Sequence, residues 1–482
     1  MRGLQCAKSL YFTLHHPEWE AAPTEQEKSA MADGLEVGLR AHTLFPGGIL
    51  LPGNPGDPAK ALEETRRAVA SGASAVFEAT VAHGSLLAKI DILHRTKNGW
   101  RLVEVKSSTS VKTKHLQDVA IQTHIARLAG YNIESAHVLH LNNQAIAPNL
   151  HDLFVDRDVT EAIAPFLEKL PEQLAAIQKS SEASQAPEIA IGPHCDSPYE
   201  CPFKAQCWKV LPQPSIFDLP NMHSKAWDYL EKKITSPNDP AFGPFEGVEA
   251  RRLEALRSAK RWVDKEGIAQ DLREWRWPLL YLDFETLGQP VPQHAGTHAY
   301  QAVPFQFSAL LQEAPEAPVQ HWEYLHGDAS DPRLPLLQAL LPLLQEDRAV
   351  VAYYKGFEAA CLEGMATAYP QYAEILRRAV RGLLDPLPIF RKRVYDPAFG
   401  SSFSIKKVGP GILGQHASYE GMPVADGTGA QLAFKRLVGK EAPLAEKAAL
   451  RQSLLAYCKK DTQLMVDLVD WLWRAAHAKE AR

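Results

Sequence analysis

Two carboxylates interrupt an apolar and aromatic run at residues 281–286, which reads Tyr-Leu-Asp-Phe-Glu-Thr. The run predicts a β-strand, and because side chains alternate across a strand, Asp283 and Glu285 share one face. An edge strand with a hydrated face would explain two neighbouring anions. The functional explanation is half of a divalent-metal site, since Mg²⁺ and Mn²⁺ prefer carboxylate oxygen.

A third carboxylate lies on a helix predicted for residues 450–471. The inward positions of this helix alternate in steps of four and three. They are Leu450, Leu454, Tyr457, Asp461, Leu464, Leu468 and Trp471. Asp461 is the one charge on this apolar seam, and a buried carboxylate is costly unless it is paired or binds a cation. The seam therefore predicts a functional Asp461, with Tyr457 one turn earlier on the same face.

Glu358 is a fourth candidate. It follows a buried-type strand predicted at residues 349–353 and lies in the first turn of the next predicted helix. The positive end of the helix dipole favours an anion there. An ordinary helix-initiating residue is the alternative explanation.

These four acids and one tyrosine resemble the DEDD exonucleases of the RNase H-like fold, in their tyrosine subtype. They are Asp283, Glu285, Glu358, Asp461 and Tyr457, the last two spaced Y-x-x-x-D. The resemblance implies two metal ions about 4 Å apart, a tyrosine that helps to place the attacking water, and trimming from 3′ ends. At the second motif the family usually has Asn and Phe-Asp, where this chain has Tyr354 and Phe357-Glu358.

A second acid pair lies on a β-hairpin predicted within residues 87–106, about a Lys-Asn-Gly turn. Asp91, Glu104 and Lys106 form the pattern D-x12-E-x-K. Two acids can hold a divalent metal, and a lysine beside them can orient or deprotonate a water aimed at phosphorus. A surface ladder of salt bridges is the alternative explanation.

The hairpin pattern resembles the RecB-like branch of the PD-(D/E)XK nuclease superfamily. The resemblance implies that the two acids bind metal, that the lysine is catalytic and that Gln122 contacts the substrate. RecB-like enzymes carry Gln-x-x-x-Tyr on the following helix, here predicted at residues 115–129, and this chain has Ala126 in the tyrosine position. Glu78, on the preceding predicted strand, is a further candidate metal ligand.

Three cysteines follow in the pattern C-x5-C-x5-C at Cys195, Cys201 and Cys207. In a reducing compartment such a group indicates zinc or an iron–sulfur cluster, each of which usually needs a fourth ligand. The group resembles the iron–sulfur RecB-like exonucleases, in which a lone upstream cysteine completes the cluster. By this resemblance Cys6 completes a structural 4Fe-4S cluster, with zinc as the alternative.

The resemblance extends over nearly the whole chain, to a bacterial family that fuses a RecB-like module to a DnaQ-like one. Besides the acid motifs, residues 303–308 and 400–406 carry it. Lys406 and Lys407 are candidate phosphate contacts, with ordinary solvated lysines as the alternative. Asp385 is a spare acid.

These motifs require a mixed α/β (α+β) fold, and 482 residues suggest roughly three domains. We predict a restriction-endonuclease-like domain over residues 1–212, a helical connector over 213–276 and an RNase H-like domain over 277–482. Prolines near residue 212 mark the first boundary. The strands predicted at 281–286 and 303–310 start an antiparallel meander.

Composition excludes some classes. A net charge of -5 gives no global basic field, although a local groove of lysines and arginines would still steer phosphates. The most apolar stretch, residues 334–344, is too short for a membrane span and is broken by two prolines. No apolar signal core is evident, so a cytoplasmic location is expected, with the six cysteines reduced or metal-bound.

The sequence therefore predicts a two-nuclease protein that hydrolyses DNA with Mg²⁺ or Mn²⁺, with single-stranded DNA as the expected partner. A nucleic-acid-binding protein that has lost catalysis is one alternative, favoured by the off-pattern Glu358 and Ala126. An RNA-processing exonuclease is another, because no residue reports on recognition of the 2′-hydroxyl.

Overall fold

A computed structural model describes residues 1–52, 56–346 and 348–478. The chain forms two compact units. The first contains Met1–Lys209 and Gln289–Gln301, and the second contains Val210–Gly288 and Ala302–Arg482. Both units combine helices with β-sheet, so the mixed α/β prediction is confirmed.

The first unit is built on one six-stranded sheet. Its strands are β1 (Ile49–Leu50), β2 (Ala75–His83), β3 (Leu86–Arg95), β4 (Trp100–Lys106), β5 (Ile133–Leu141) and β6 (Phe154–Asp158). Its helices are α1 (Arg2–Gln5), α2 (Ala7–His15), α3 (Glu25–His42), α4 (Pro58–Ala70), α5 (Thr113–Leu128), α6 (Ala164–Ser181) and α7 (Lys204–Cys207).

The predicted hairpin of β3 and β4 lies at the centre of this sheet. β4 pairs antiparallel with β3 and parallel with β5, and a parallel pair needs a crossover, which α5 supplies. The helix packs on the sheet through apolar side chains that include Val119 and Ile125. Because α5 starts shortly after β4 ends, the last residues of β4 lie beside its first turns.

The second unit contains a five-stranded and a two-stranded sheet within the described residues. Its strands are β7 (Trp262–Val263), β8 (Leu279–Leu287), β9 (Val303–Gln312), β10 (Val319–Leu325), β11 (Ala349–Val351), β12 (Leu383–Leu384) and β13 (Val394–Tyr395). Its helices are α8 (His223–Glu231), α9 (Gly247–Ser258), α10 (Lys265–Asp271), α11 (Arg333–Leu344), α12 (Gly356–Ala368), α13 (Ala373–Arg381), α14 (Leu387–Arg393), α15 (Ile405–Leu413), α16 (Gly427–Val438) and α17 (Leu444–His477).

Strand β8 is central in the five-stranded sheet, whose order is β10-β9-β8-β11-β12. It pairs antiparallel with β9, as the sequence predicts, and parallel with β11. Leu282 and Phe284 pack in one apolar cluster with α11 and α12. Because alternate side chains point to opposite faces, Asp283 and Glu285 project toward the other side of the sheet, against which α17 packs.

Residues 213–276, predicted as a connector, lie within the second unit. Their apolar side chains, including Ile268 and Trp275, share a core cluster with the end of α17. Helix α9 ends at Ser258, because Ala259 takes a left-handed backbone conformation (φ 53°) that terminates it. Trp262 lies in β7, which pairs with β13.

Residues 289–301 follow β8 in sequence but belong to the first unit. There, the backbone N–H of Gly296 donates to the Ala147 carbonyl and the N–H of Ala147 donates to the Thr297 carbonyl, each at 2.9 Å. This segment is therefore anchored by main-chain hydrogen bonds. Across the described residues, no helix combines the length and the apolar character that a membrane span requires.

Candidate metal centres

The four predicted acids of the second unit meet in one cluster. Strand β8 supplies Asp283 and Glu285, the first turn of α12 supplies Glu358, and α17 supplies Asp461. Glu285, Glu358 and Asp461 are each less than a tenth exposed. Residues that lie up to 178 positions apart in sequence thus share one buried environment.

Burial raises the pKa of all four carboxyls, and repulsion by neighbouring acids adds to the rise at Asp283, Glu285 and Glu358. For Asp283, burial is the largest cause, and the charges of the other three acids add to it. Burial raises the pKa of Glu358 to about 8, with Asp385 and Asp461 contributing. One carboxylate oxygen of Glu358, Oε2, is buried and has no hydrogen-bond partner among the residues that the structure describes. The cluster therefore favours protonation unless a cation enters.

Two lysines offset part of the negative charge of the four acids. The charge of Lys406 acts on Glu285 and Asp461, and that of Lys460 acts on Asp461. The Lys406 Nζ donates to the carbonyl oxygen of Ala425 (2.6 Å), and the Lys460 Nζ donates to carbonyl oxygens of the same loop. Four carboxylates thus face two ammonium groups, both of which are also held by backbone oxygens.

Tyr419 is a residue of this centre that the sequence analysis missed. It lies in the loop between α15 and α16, and its hydroxyl donates to Asp461 Oδ1. The predicted Tyr457 also hydrogen-bonds Asp461, and the two tyrosine rings meet edge to face at 5.9 Å. The loop has no periodic pattern, and Tyr419 precedes Asp461 by 42 residues, so no sequence signal pairs them.

Cys458 is a second residue that the sequence analysis left unassigned in this centre. Its Sγ lies 3.4 Å from Asp283 Oδ2. Ligand atoms of Asp283, Glu285 and Cys458 all lie within 4.8 Å of one another. Burial, followed by the neighbouring carboxylates, raises the pKa of the thiol, so it is a neutral S–H donor toward Asp283. The carboxylate oxygens at this spacing fit a hard divalent cation.

Neighbouring polar contacts fix these acids relative to one another. Gln306 of β9 donates to the Leu454 carbonyl of α17 (2.8 Å), and Ser308 Oγ lies 2.7 Å from Thr462 Oγ1. These hydrogen bonds fix β9 to α17 at Leu454 and at Thr462, the residue that follows Asp461. The strand that pairs with β8 thereby holds the helix that supplies the last acid.

Asp385, the spare acid, has a supporting position. Its carboxylate accepts from the backbone N–H groups of Tyr354, Lys355 and Leu387 at 2.9 to 3.1 Å. Tyr354 has a left-handed φ of 64°, which a non-glycine residue adopts only when its surroundings impose it. Asp385 therefore holds the turn that begins α12 and, with it, Glu358.

Residues 280–404 match the family model described as a domain of unknown function (DUF2779). The match includes Asp283, Glu285 and Glu358 and ends before Asp461. No curated protein matches the chain. The DUF2779 segment thus supplies three of the four acids, and the fourth comes from the long helix that follows it.

The D-x12-E-x-K residues of the first unit also meet, outside the DUF2779 segment. Lys106 Nζ donates to Glu104 Oε1 (2.5 Å) and to Asp118 Oδ2 of α5 (2.9 Å). Gln122 Nε2 donates to the other Glu104 oxygen (2.7 Å). The sequence analysis missed Asp118. Its position could have been inferred, because it lies four residues before Gln122 on the same helix face.

Lys106 offsets only part of the negative charge at this hairpin. Asp91 Oδ2 accepts from the Val105 N–H (2.8 Å), and burial raises the pKa of Asp91 to about 6. Burial and the charge of Asp91 raise the pKa of Glu104. Burial lowers the pKa of Lys106, but Glu104 and Asp118 raise it by more. Lys106 is therefore held as an ammonium group, which can orient a water molecule but not deprotonate it.

Two further predicted positions, Glu78 and Ala126, make contacts that differ from those of the acid pair. Glu78 of β2 forms an ion pair with Lys89 (2.6 Å), although its charge still acts on Asp91. Ala126 is fully buried in the core beneath α5, so that side chain is turned away from any substrate. The tyrosine position of the RecB-like motif thus offers no surface contact here.

The four predicted cluster cysteines line a single cavity, shared with Phe12 and Phe203. They are Cys6, Cys195, Cys201 and Cys207. Burial, modified by backbone hydrogen bonds and neighbouring thiols, raises the pKa of Cys6. Across the residues that the structure describes, no three of these sulfur atoms lie within 4.8 Å of one another. The cavity therefore holds four thiols at a spacing wider than one small ion requires.

Proposed function

We propose that the second unit is a metal-dependent exonuclease of the RNase H-like DEDD type that hydrolyses DNA from the 3′ end. The observation that carries this proposal is the buried convergence of Asp283, Glu285, Glu358 and Asp461 from three separate elements. Burying four carboxylates together is unfavourable unless cations neutralise them. A site for divalent cations accounts for that cost.

The four acids would hold Mg²⁺ or Mn²⁺, which supplies Lewis-acid stabilisation of a phosphoryl oxygen and lowers the pKa of a bound water. Tyr419 and Tyr457 orient Asp461 by hydrogen bonding to its carboxylate. Lys406, whose Nζ lies 5.1 Å from the Tyr457 ring, supplies positive charge for a phosphate beside the acids. The S–H of Cys458 holds one oxygen of Asp283.

A trimming assay tests this proposal. The protein is incubated with Mn²⁺ and single-stranded DNA labelled at the 5′ end, with an RNA of the same sequence in parallel. We expect a ladder of products shortened from the 3′ end. Asp461→Asn should reduce the rate at least about a hundredfold, because metal-ion stabilisation is worth several kcal/mol and each 1.4 kcal/mol is tenfold.

The matched control is Asp467→Asn, on the same helix. Asp467 accepts a hydrogen bond from Gln463, which an asparagine oxygen can also accept, so trimming should stay within about twofold of the unaltered protein. Equal trimming by the Asp461 and Asp467 variants would rule out the acid cluster as the active site. Trimming of RNA alone would replace DNA by RNA as the substrate.

We further propose that the chain fuses this exonuclease to a RecB-like nuclease in the first unit, which a 4Fe-4S cluster stabilises. The support is the Asp91, Glu104 and Lys106 hairpin together with the cavity of four thiols. A tetrahedral zinc site, with Zn–S near 2.3 Å, brings its sulfur atoms within about 4 Å of one another. The wider thiol spacing favours the larger cluster.

Purification without oxygen tests the cluster. We expect a brown protein whose visible absorption is lost in Cys201→Ser and retained in Cys361→Ser, a buried cysteine of the second unit. Iron and sulfide analysis should give about four of each per chain. A colourless protein containing one zinc would make the iron–sulfur assignment wrong.

A further inference from the structure

The segment between Cys195 and Cys201 is held firmly in the first unit. The Cys201 N–H donates to the Cys195 carbonyl (2.8 Å) and closes the segment into a loop. Gln5 Nε2 donates to the carbonyl oxygens of both His194 and Tyr199, each at 2.7 Å. Gln5 directly precedes Cys6 in the sequence. The backbone of Tyr199 is therefore fixed from both sides, by the residue before Cys6 and by the loop that Cys195 and Cys201 close.

The ring of Tyr199 lies at the first turn of α5, the helix that carries Asp118 of the acid and lysine site. Its exposed fraction is 48%, so one surface of the ring is open to solvent. The Nζ of Lys114, in the first turn of α5, lies 4.2 Å from the ring centroid. Lys114 lies one helical turn before Asp118, whose Oδ2 accepts from the Lys106 Nζ (2.9 Å). The ring is thus about one helical turn from a residue that bonds Lys106.

Among the described residues, Tyr199 belongs to none of the apolar core clusters of the first unit. The helix that would supply an aromatic contact in the RecB-like pattern carries the buried Ala126 instead. Aromatic rings beside a basic groove bind single strands, because every base has a π-face that can stack and every nucleotide brings a phosphate. Tyr199 and Lys114 provide one group for each.

We propose that Tyr199 stacks on a base of single-stranded nucleic acid entering the Lys106 site, while Lys114 contacts the adjacent phosphate. This inference rests on the nuclease function proposed for the first unit. It makes Tyr199 a substrate-binding residue presented by the cysteine-held loop. Ligation of Cys195 and Cys201 is therefore linked to substrate binding through the loop that carries the ring.

Kinetics in the Asp461→Asn background test the stacking contact, since the exonuclease of the second unit is then silenced. Tyr199→Leu removes the π-face at similar size and should raise KM about tenfold while kcat changes less than about twofold. Tyr199→Phe is the matched control, keeps the ring and should retain the original KM. Lys114→Met should raise KM and reduce the salt dependence of binding by about one phosphate contact.

A photocrosslink gives a readout that does not depend on cleavage. An oligonucleotide containing 5-iodouracil is irradiated with the full-length protein in Ca²⁺, and peptides are sequenced by mass spectrometry. We expect an adduct at Tyr199 that is absent in Tyr199→Leu.

The outcomes separate the two proposals. Lys106-dependent cleavage with an unchanged KM in Tyr199→Leu, or crosslinks that avoid Tyr199, would overturn the stacking inference alone. Absence of Lys106-dependent cleavage would refute the nuclease function of the first unit, and the adduct would then decide whether Tyr199 still binds nucleic acid.

Discussion

The two acid clusters of this protein differ in what their lysine side chains bond. In the first unit, both oxygens of Glu104 accept hydrogen bonds, one from the Lys106 ammonium group and one from Gln122. In the second unit, Glu358 has a buried oxygen to which no described residue donates, and the Lys406 ammonium group is bonded to a carbonyl. One cluster bonds its lysine directly to its acids, and the other bonds its lysines to the backbone.

This difference follows from local sequence. Glu104 and Lys106 are two residues apart on β4, so their side chains share a face and meet whatever else the chain does. Lys406 and Lys460 start from helices and reach toward the loop before α16. A lysine bonded directly to an acid lowers the pKa of that acid, whereas an acid without such a partner responds more strongly to pH and to added ions.

The largest expected effect comes from removing the built-in cation. Lys106→Met leaves Glu104 and Asp118 without their ammonium partner and should lower the free energy of unfolding by about 3 kcal/mol. Urea denaturation followed by circular dichroism measures this change. Lys89→Met, which breaks the more exposed pair with Glu78, is the control and should cost less than about 1 kcal/mol. Equal losses would mean that the hairpin charges are not effectively buried.

The second prediction concerns pH in the presence of a chelator. The pKa of Glu358 is raised to about 8 in the folded protein and is ordinary in the unfolded chain. The folded state therefore binds more protons between these values, and its stability must fall as pH rises toward 8. Between pH 6 and 7.5 we expect a loss of roughly 2 kcal/mol, measured by thermal or urea unfolding.

Two comparisons sharpen this pH prediction. Glu358→Gln removes the titrating group and should flatten the profile, while Mn²⁺ added at pH 8 should restore the stability of the unaltered protein. Stability that rises with pH in the chelated protein would contradict the assignment of an uncompensated acid cluster.

A third, smaller effect is expected at Tyr419. Burial raises the pKa of Asp461 to about 6, and the hydrogen bond from the Tyr419 hydroxyl opposes this rise by favouring the charged carboxylate. Tyr419→Phe should therefore raise the pKa further, shift the rising limb of the pH–rate profile for trimming to higher pH, and slow trimming about tenfold at neutral pH. Tyr354→Phe, an exposed position of the same unit, serves as the control.

The smallest effect is expected at Cys458. A thiol is a weak hydrogen-bond donor, so Cys458→Ala should slow trimming by less than about fivefold, and Cys458→Ser should retain the rate. A loss as large as that of Asp461→Asn would instead make the thiol a metal ligand. The same trimming assay measures both variants.

Periodic elements could be predicted from the sequence, and contacts between distant segments could not. The alternation in β8 and the seam of α17 placed Asp283 and Asp461 correctly on inward faces, because one buried face dictates each pattern. The sequence analysis did not identify Asp470, a second buried carboxylate of α17. Its hydrogen-bond partners, the Gln312 side chain and the Glu316 N–H, lie about 155 residues earlier.

Irregular segments explain the remaining misses. Tyr419 lies in a loop whose path is set by tertiary contacts, and a loop carries no repeat from which to infer its direction. Residues 289–301 read as a loop punctuated by glycine and proline, and nothing in that composition indicates which unit they join. Residues 213–276 carry ordinary amphipathic helices, whose packing partners only the structure identifies.

The assignment of residues 289–301 to the first unit means that the polypeptide passes between the units three times. A truncation after residue 209 would remove the segment that hydrogen-bonds Ala147, and one that starts at residue 210 would carry that segment without Ala147. Cutting the chain at that point thus breaks both of these hydrogen bonds. Exchange of either unit for another would need breakpoints on both sides of residues 289–301, besides the one after residue 209.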